Sequence, residues 1–359
     1  MADQTQLHDA VASIESPLLV GRTLGELGLV GDVSKKLTGK VKVELLLPSG
    51  PPDALNERLQ EALAPFAPGA DVNVQVMDDD AVAQWMDGLK ATAGPGVGEP
   101  GSATRTIAIS SGKGGVGKSS VSANLAVALA RAGKLVGIVD GDIWGFSIPA
   151  MLGVESPPVM VGDMIVPPVA HRVKVMSMDF FVGEDKAVIW RGPMLHKAIE
   201  QFLKDVFWDS LDFLIVDMPP GTGDIAISMS QFLPRAQVVV VTTPQPTAQR
   251  VARRAALMAA QVDQQVIGVV ENMSWFTGDD GNRYELFGSG GGQALAEELG
   301  VDLMARVPLL PAMGRGADTG QPVVVAAPGS EAEDAFDGLA SAVIEKRPRV
   351  RTNPALVIN

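Results

Sequence analysis

The apolar residues of this chain follow two different rhythms, and the change comes near residue 104. In the first part apolar and polar positions alternate: Val41, Val43, Leu45 and Leu47 are separated by Lys42, Glu44 and Leu46, and Val72, Val74 and Val76 repeat the pattern. A period of two puts one face on a core and the other in water, so strands are predicted over 40–47 and 72–76. A helix is predicted over 7–14, broken at Ser16-Pro17, and another over 53–65 with Asp53 as its cap. Residues 1–87 are therefore expected to form a small α+β domain.

From Thr106 onward the strands read as continuous apolar runs, at 107–109, 135–139, 173–178, 213–216, 238–241, 266–270 and 303–307, alternating with helical segments. Such runs are buried on both faces, which requires a mostly parallel sheet covered by helices. The expected fold of residues 104–345 is a doubly wound α/β domain whose ligands gather at the carboxyl ends of the strands. Between the two patterns, 88–103 contains Ala93-Gly94-Pro95-Gly96-Val97-Gly98-Glu99-Pro100-Gly101-Ser102, a composition expected to form a flexible linker.

The first of these runs leads into Ser110-Ser111-Gly112-Lys113-Gly114-Gly115-Val116-Gly117-Lys118-Ser119-Ser120 and then into a helix. Gly112, Gly117, Lys118 and Ser119 satisfy the spacing G-x-x-x-x-G-K-[ST], in which backbone N–H groups close around phosphate at a helix N-terminus. The loop from Gly112 through Lys113, Gly114, Gly115, Val116, Gly117, Lys118 and Ser119 to Ser120 is expected to hold ATP. Lys118 would reach the β- and γ-phosphates, and the Ser119 hydroxyl would bind Mg²⁺. A second run, 212–216, closes on Asp217-Met218-Pro219-Pro220-Gly221-Thr222-Gly223-Asp224. This is the Walker B arrangement, with Asp217 holding Mg²⁺ through a water and Gly221 placing its N–H near a γ-phosphate. Asp224 belongs to the site or caps the next helix. A third run ends in Asp140-Gly141-Asp142, where a carboxylate beside the phosphate loop can orient the attacking water. Asp140 is expected to support this loop through hydrogen bonds.

Composition narrows the partners. Hydrophobic residues at 46% and charged residues at 20% describe a globular protein, and no apolar run has the length to cross a bilayer. The opening residues lack a cationic segment followed by an apolar one, so the expected location is cytoplasmic. A net charge of −13 repels nucleic acid and anionic lipid, and neither is expected as a partner. The cluster Lys346, Arg347, Arg349, Arg351 reads as part of a solvated basic tail over 346–359. There is no cysteine, which excludes disulfides, thiolate nucleophiles and cysteine-ligated zinc or iron–sulfur sites within the chain. His8, His171 and His196 are scattered along it, and none is expected to ligate a metal.

With Lys113 in place, the loop reads Lys-Gly-Gly-Val-Gly-Lys-Ser and resembles the deviant Walker A motif of the MinD, ParA and nitrogenase iron-protein class. The resemblance implies a homodimer closed face to face around ATP, with Lys113 reaching into the partner's phosphate site in the manner of an arginine finger. It also gives the water-positioning role to Asp142, the second aspartate of its pair. Asp140 to Pro149, Val188 to Met194, Asp217 to Asp224, Val241 to Gln245 and Glu271-Asn272-Met273-Ser274 extend the likeness, in the order found in Mrp ATPases, over 104–330. That resemblance implies a Mg²⁺-dependent ATPase that carries iron–sulfur clusters to apoproteins. It further implies that Asn272 and the backbone near Pro308 recognise adenine, a task suited to an amide that both donates and accepts. Residues 1–87, through Thr23-Leu24-Gly25-Glu26-Leu27-Gly28-Leu29-Val30, resemble the small MIP18-type domain that precedes many such ATPases, without its acidic turn and cysteine.

The likeness has one gap. Where these ATPases carry Cys-x-x-Cys ahead of a Phe-Gly-x-Gly-Gly turn, this chain has Trp275 to Leu286, with Asp279-Asp280-Gly281 in the interval. Carboxylates match a thiolate-held cluster poorly, and Asp-Asp-Gly is an ordinary hairpin turn. Two readings follow: a cluster carrier, or a nucleotide-switched assembly ATPase that acts on a protein client without ligating the cluster itself. A MinD- or ParA-like positioning ATPase would need a C-terminal amphipathic helix or a basic face, and 352–359 is too short and contains Pro354.

Overall fold

A computed structural model describes residues 4–36, 38–48, 50, 53–67, 69–99, 101–142, 145, 147–181, 192–221 and 231–348, with the backbone alone at 53–54 and 192–196. Outside these residues lie Ile143, Trp144 and Phe146, the motif residues 188–191, Asp224 and the tail from 349 onward. The His196 side chain is also outside them.

The first domain runs α1 (Gln4–Ala12), β1 (Val30–Lys35), β2 (Val41–Leu47), α2 (Asp53–Leu63), β3 (Ala70–Val76) and α3 (Asp79–Thr92). β2 is central, antiparallel to β1 and parallel to β3. As its alternation requires, Val41, Val43, Leu45 and Leu47 are all buried, and they share a core with Leu7, Val11, Leu55 and Leu59. β1 is not among the elements expected from sequence, because Val33 is its single fully buried position and one residue makes no period. Asp78 caps α3 by accepting from the Ala81 N–H at 2.8 Å, and Leu89 keeps that helix on the core as far as Thr92. A boundary at residue 87 therefore falls inside a helix.

The segment that follows is also not slack. Val97 is buried in the core of the second domain, and the Glu99 and Ser102 N–H groups close turns onto the Gly96 and Glu99 carbonyls, each at 3.1 Å. Here the glycines and prolines make turns against a packed surface.

The second domain contains β4 (Arg105–Ser111), α4 (Lys118–Arg131), β5 (Val136–Asp140), α5 (Ile148–Leu152), β6 (Val159–Val161), β7 (Met164–Val166), β8 (Val169–Ala170), β9 (Val173–Ser177) and α6 (Gly192–Lys204). It continues with β10 (Phe213–Asp217), β11 (Gln237–Thr242), α7 (Pro246–Gln261), β12 (Gln265–Glu271), β13 (Phe276–Thr277), β14 (Arg283–Tyr284), α8 (Gly291–Leu299), β15 (Asp302–Arg306), α9 (Pro311–Asp318), α10 (Val323–Ala326) and α11 (Glu331–Glu345). Eight strands form one sheet in the order β15-β12-β11-β4-β10-β5-β9-β8, parallel except for the edge strand β8. Successive residues of one strand serve opposite cores: Ile107, Ile109, Ile215 and Val239 pack with α4 and α11, while Ala108, Leu214 and Val240 pack with α6 and α7. This is the doubly wound α/β fold that the continuous apolar runs demand.

The two domains dock through charge and through a shared core. Both Arg22 nitrogens Nε and Nη2 bond the Asp209 carboxylate, at 2.7 and 2.6 Å. Lys90 pairs with Asp163 at 2.8 Å, and Arg172 pairs with Glu15. Val161, Val166 and Phe207 of the second domain complete the core of the first. No helix among the described residues is long and apolar enough to cross a membrane.

Candidate nucleotide-binding site

The order of the sheet sets the site. β4 lies between β10 and β11, and β5 lies on the far side of β10, so the loops after β4, β10 and β5 open on one edge. Asp217 is in register with Ile109 on one side and Asp140 on the other. Main-chain bonds lace these ends together: Met218 N–H to the Ile109 carbonyl at 3.0 Å, Gly141 N–H to that of Asp217 at 2.9 Å, and Gly221 N–H to that of Ser111 at 2.9 Å. The last of these differs from the sequence expectation for Gly221, whose N–H is donated to the chain and does not point free at the phosphate position.

Two glycines of the loop have steric reasons to be glycine. Gly117 caps α4 at φ +80°, a left-handed conformation, and a Cβ there would lie 2.2 Å from Asn272 Nδ2. A Cβ on Gly112 would lie 2.1 Å from the Val251 carbonyl carbon, so α7 packs directly on the loop backbone.

At the start of α4 the chemistry converges on Asp217. Lys118 Nζ lies 2.5 Å and Ser119 Oγ 2.7 Å from its Oδ2, while Ser122 Oγ lies 2.5 Å from its Oδ1. The carboxylate is fully buried and Lys118 is 6% exposed, so the ion pair is desolvated on both sides. Lys113 is half-buried, and its carbonyl, at 3.1 Å, is an acceptor for the Ser111 hydroxyl; its ammonium has no hydrogen-bond or ion-pair partner among the described residues.

Asn272 and Pro308 sit on the same rim. The Asn272 Nδ2 donates to the Val116 carbonyl at 2.9 Å, while its Oδ1 is buried without a partner among the described residues. Pro308 is buried beside it, between Val307, bonded to Glu271 and Ser274, and Leu309, bonded to Trp275. Glu271, invisible as a site residue in the sequence, fixes this turn: its buried carboxylate accepts from Gly292 N–H at 2.5 Å, Ser274 Oγ at 2.9 Å and Arg306 Nε at 3.1 Å.

Asp140 has the supporting role expected of it. It accepts from the Asp142 and Ser147 N–H groups at 3.2 Å, the Ile148 N–H at 3.3 Å and the Ser177 hydroxyl at 3.3 Å, which pins the Asp142 backbone. Burial, and then the neighbouring Asp217 charge, push its carboxyl up to about 7. A carboxyl raised on folding binds its proton more tightly in the native state, so stability falls as pH rises from the unfolded value toward 7. Between pH 5 and 7 the wild type is expected to lose about 2–3 kcal/mol relative to Asp140→Asn, read from urea melts at each pH. Parallel pH profiles for the two proteins would refute this.

The hairpin that stands where a cysteine pair was absent is closed by other means. Phe276 faces Tyr284 and Thr277 faces Arg283. Asp280 accepts from the Tyr284 hydroxyl at 2.5 Å and from the Asn282 amide and N–H at 2.9 and 3.0 Å, contacts that hold its carboxyl down at about 2. Arg283 lies 4.5 Å over the Trp275 ring and pairs with Glu331, which also accepts from Thr277 Oγ1 at 2.7 Å. Among the described residues no three His, Asp or Glu side chains are grouped to hold a metal.

Fold and site together define a P-loop nucleotide-binding protein built on a doubly wound sheet. Residues 102–344 match the ParA group described as NUBPL iron-transfer P-loop NTPase, and the chain belongs to that family. A Mycobacterium tuberculosis protein named iron-sulfur cluster carrier protein is 44% identical over 353 residues, which is 93% of this chain and 92% of the relative. Among solved structures, a nucleotide-binding protein from Archaeoglobus fulgidus in complex with ADP is 33% identical with a TM-score of 0.54, covering 68% of this chain and 92% of that one. The Pyrococcus furiosus cell division ATPase MinD is 27% identical with a TM-score of 0.53, covering 67% and 98%.

Proposed function

We propose that this chain is a Mg²⁺-dependent ATPase that works as a homodimer and acts as a nucleotide-switched factor in iron–sulfur protein assembly, on an apoprotein client. The observation that carries the ATPase reading is the trio Lys118, Ser119 and Asp217, assembled within 2.7 Å of one buried carboxylate oxygen. The relatives' names supply the assembly context.

The Lys118 ammonium neutralises Asp217. Phosphate oxygens offer Lys118 a stronger partner, and its departure frees an oxygen pair, Asp217 Oδ2 and Ser119 Oγ, of the hard kind that suits Mg²⁺. Asp217 and Ser119 would hold Mg²⁺, which would supply charge neutralisation for the phosphates. The buried Oδ1 of Asn272, unpartnered among the described residues, would be an acceptor for a base amino group. Asp142, held at its backbone by Asp140, orients the attacking water, and Lys113 from the partner subunit offsets charge on the transferred phosphoryl group.

The cluster, as cargo, does not fit this chain's own donors. With no cysteine and with Asp280 already bonded to Tyr284 and Asn282, the ligands belong to the client or to an external thiol.

Substituting Lys113→Ala tests the dimeric mechanism. Because its ammonium has no partner to lose among the described residues, ATP affinity should stay within a few-fold while turnover falls by about 10²–10³-fold. Phosphate release with Mg-ATP, compared with the same assay in EDTA, reads both this and the metal dependence. Unchanged turnover in the variant removes Lys113 from the mechanism, and undiminished turnover in EDTA removes Mg²⁺.

A further inference from the structure

Ser122 lies one helical turn beyond Lys118, fully buried, and its hydroxyl has two acceptors in reach: Asp217 Oδ1 at 2.5 Å and the Lys118 carbonyl at 3.0 Å. The hydroxyl has one proton, and the shorter distance and the charge put it on the carboxylate. Asp217 is thus gripped from two sides. Lys118 and Ser119 hold Oδ2, and Ser122 holds Oδ1.

Those two grips have different fates when ATP binds, on the reading above. Lys118 turns to phosphate and Ser119 to the metal, so both contacts of Oδ2 are exchanged. The Cβ–carboxylate torsion of an aspartate is soft and roughly two-fold, and a carboxylate released on one side is free to swing. Ser122 is the side chain on Asp217 that neither phosphate nor metal recruits.

We propose that Ser122 is a positioning residue for metal binding: it holds the Asp217 carboxylate by Oδ1 throughout the exchange, so that Oδ2 faces the incoming Mg²⁺ with no rearrangement. The inference rests on the ATPase reading and adds to it a residue that lies outside the phosphate-loop spacing. A merely structural serine, packed in α4 and bonded to the Lys118 carbonyl, would affect folding and leave the metal untouched.

The test uses the full chain with Mn²⁺ standing in for Mg²⁺. Free Mn²⁺ is titrated by electron paramagnetic resonance at saturating ADP, and a fluorescent ADP analogue is titrated in EDTA, for wild type, Ser122→Ala and Ser122→Thr. The alanine variant should bind Mn²⁺ about tenfold more weakly in the ternary complex, the loss of one charge-assisted hydrogen bond, and should bind the metal-free nucleotide as the wild type does. Threonine keeps the hydroxyl and should restore Mn²⁺ binding. Equal Mn²⁺ affinity in wild type and Ser122→Ala overturns the proposal. So does a parallel loss of metal and metal-free nucleotide affinity, which would mark a disturbed loop. A wild type that binds no ADP at all overturns the ATPase reading, and this inference with it.

Discussion

Lys118→Ala should reduce phosphate release at saturating Mg-ATP by at least about a thousand-fold, the scale on which single charge-stabilising groups act in phosphoryl transfer. The lysine has two tasks that cannot be reassigned. It neutralises a carboxylate with no exposed surface, and on the proposed function it is the ammonium that meets the phosphates of ATP. Removing one partner of a buried pair leaves the other charge uncompensated, at a cost of about 3–5 kcal/mol. The variant should therefore also melt earlier without nucleotide. Lys118→Arg separates the two effects. It keeps the charge, so most of the stability should return, but a planar fork cannot occupy the place of a point charge 2.5 Å from Asp217, and turnover should stay low. Turnover of Lys118→Ala within tenfold of wild type would remove the loop from catalysis and leave the resemblance of its spacing without function.

What the sequence made legible follows from how local each signal is. The phosphate loop, the Walker B strand and the six further parallel strands are written in contiguous residues, and β4, β5, β9, β10, β11, β12 and β15 lie within one or two positions of their apolar runs, whereas β6, β7 and β8 have no such run. Ser122 was not legible, because a serine inside a helix pattern gives no sign of the strand it faces, and Asp217 is 95 residues away. The same holds for the docking pairs: Arg22 and Asp209 are separated by 187 residues and belong to no shared period. The β8–β9 turn shows the reverse failure. Hairpin turns of this kind favour Asn-Gly, yet His171 and Arg172 adopt φ of 49° and 65°. Tertiary contacts hold them, His171 to the Gly320 carbonyl at 3.0 Å and Arg172 to Glu15. Residues 88–103 depart from the expected slack linker for a related reason. Their composition reports how easily the chain turns, whereas Val97 reports where it is packed.

The second large effect is all-or-none. Anaerobic reconstitution with iron and sulfide, followed by removal of free reagents, should leave the purified chain without stoichiometric iron or acid-labile sulfide, with or without Mg-ATP. Cluster iron is held by thiolates, and here the chain has none. The hairpin at 276–284 is not an empty frame awaiting other ligands: Asp280 spends its oxygens on Tyr284 and Asn282, and Glu331 is tied to Thr277, Trp275 and Arg283. Freeing either carboxylate would open the turn that carries it. The cation over Trp275 adds to the same closure, with Arg306 at 5.6 Å joining Arg283 on the ring. A chain that hydrolyses ATP and yet returns no iron would place the motor in this protein and the cluster ligands in its client. A chromophoric, stoichiometric cluster retained without added thiol would overturn that division, and the ligands would have to be donors of this chain other than cysteine thiolate.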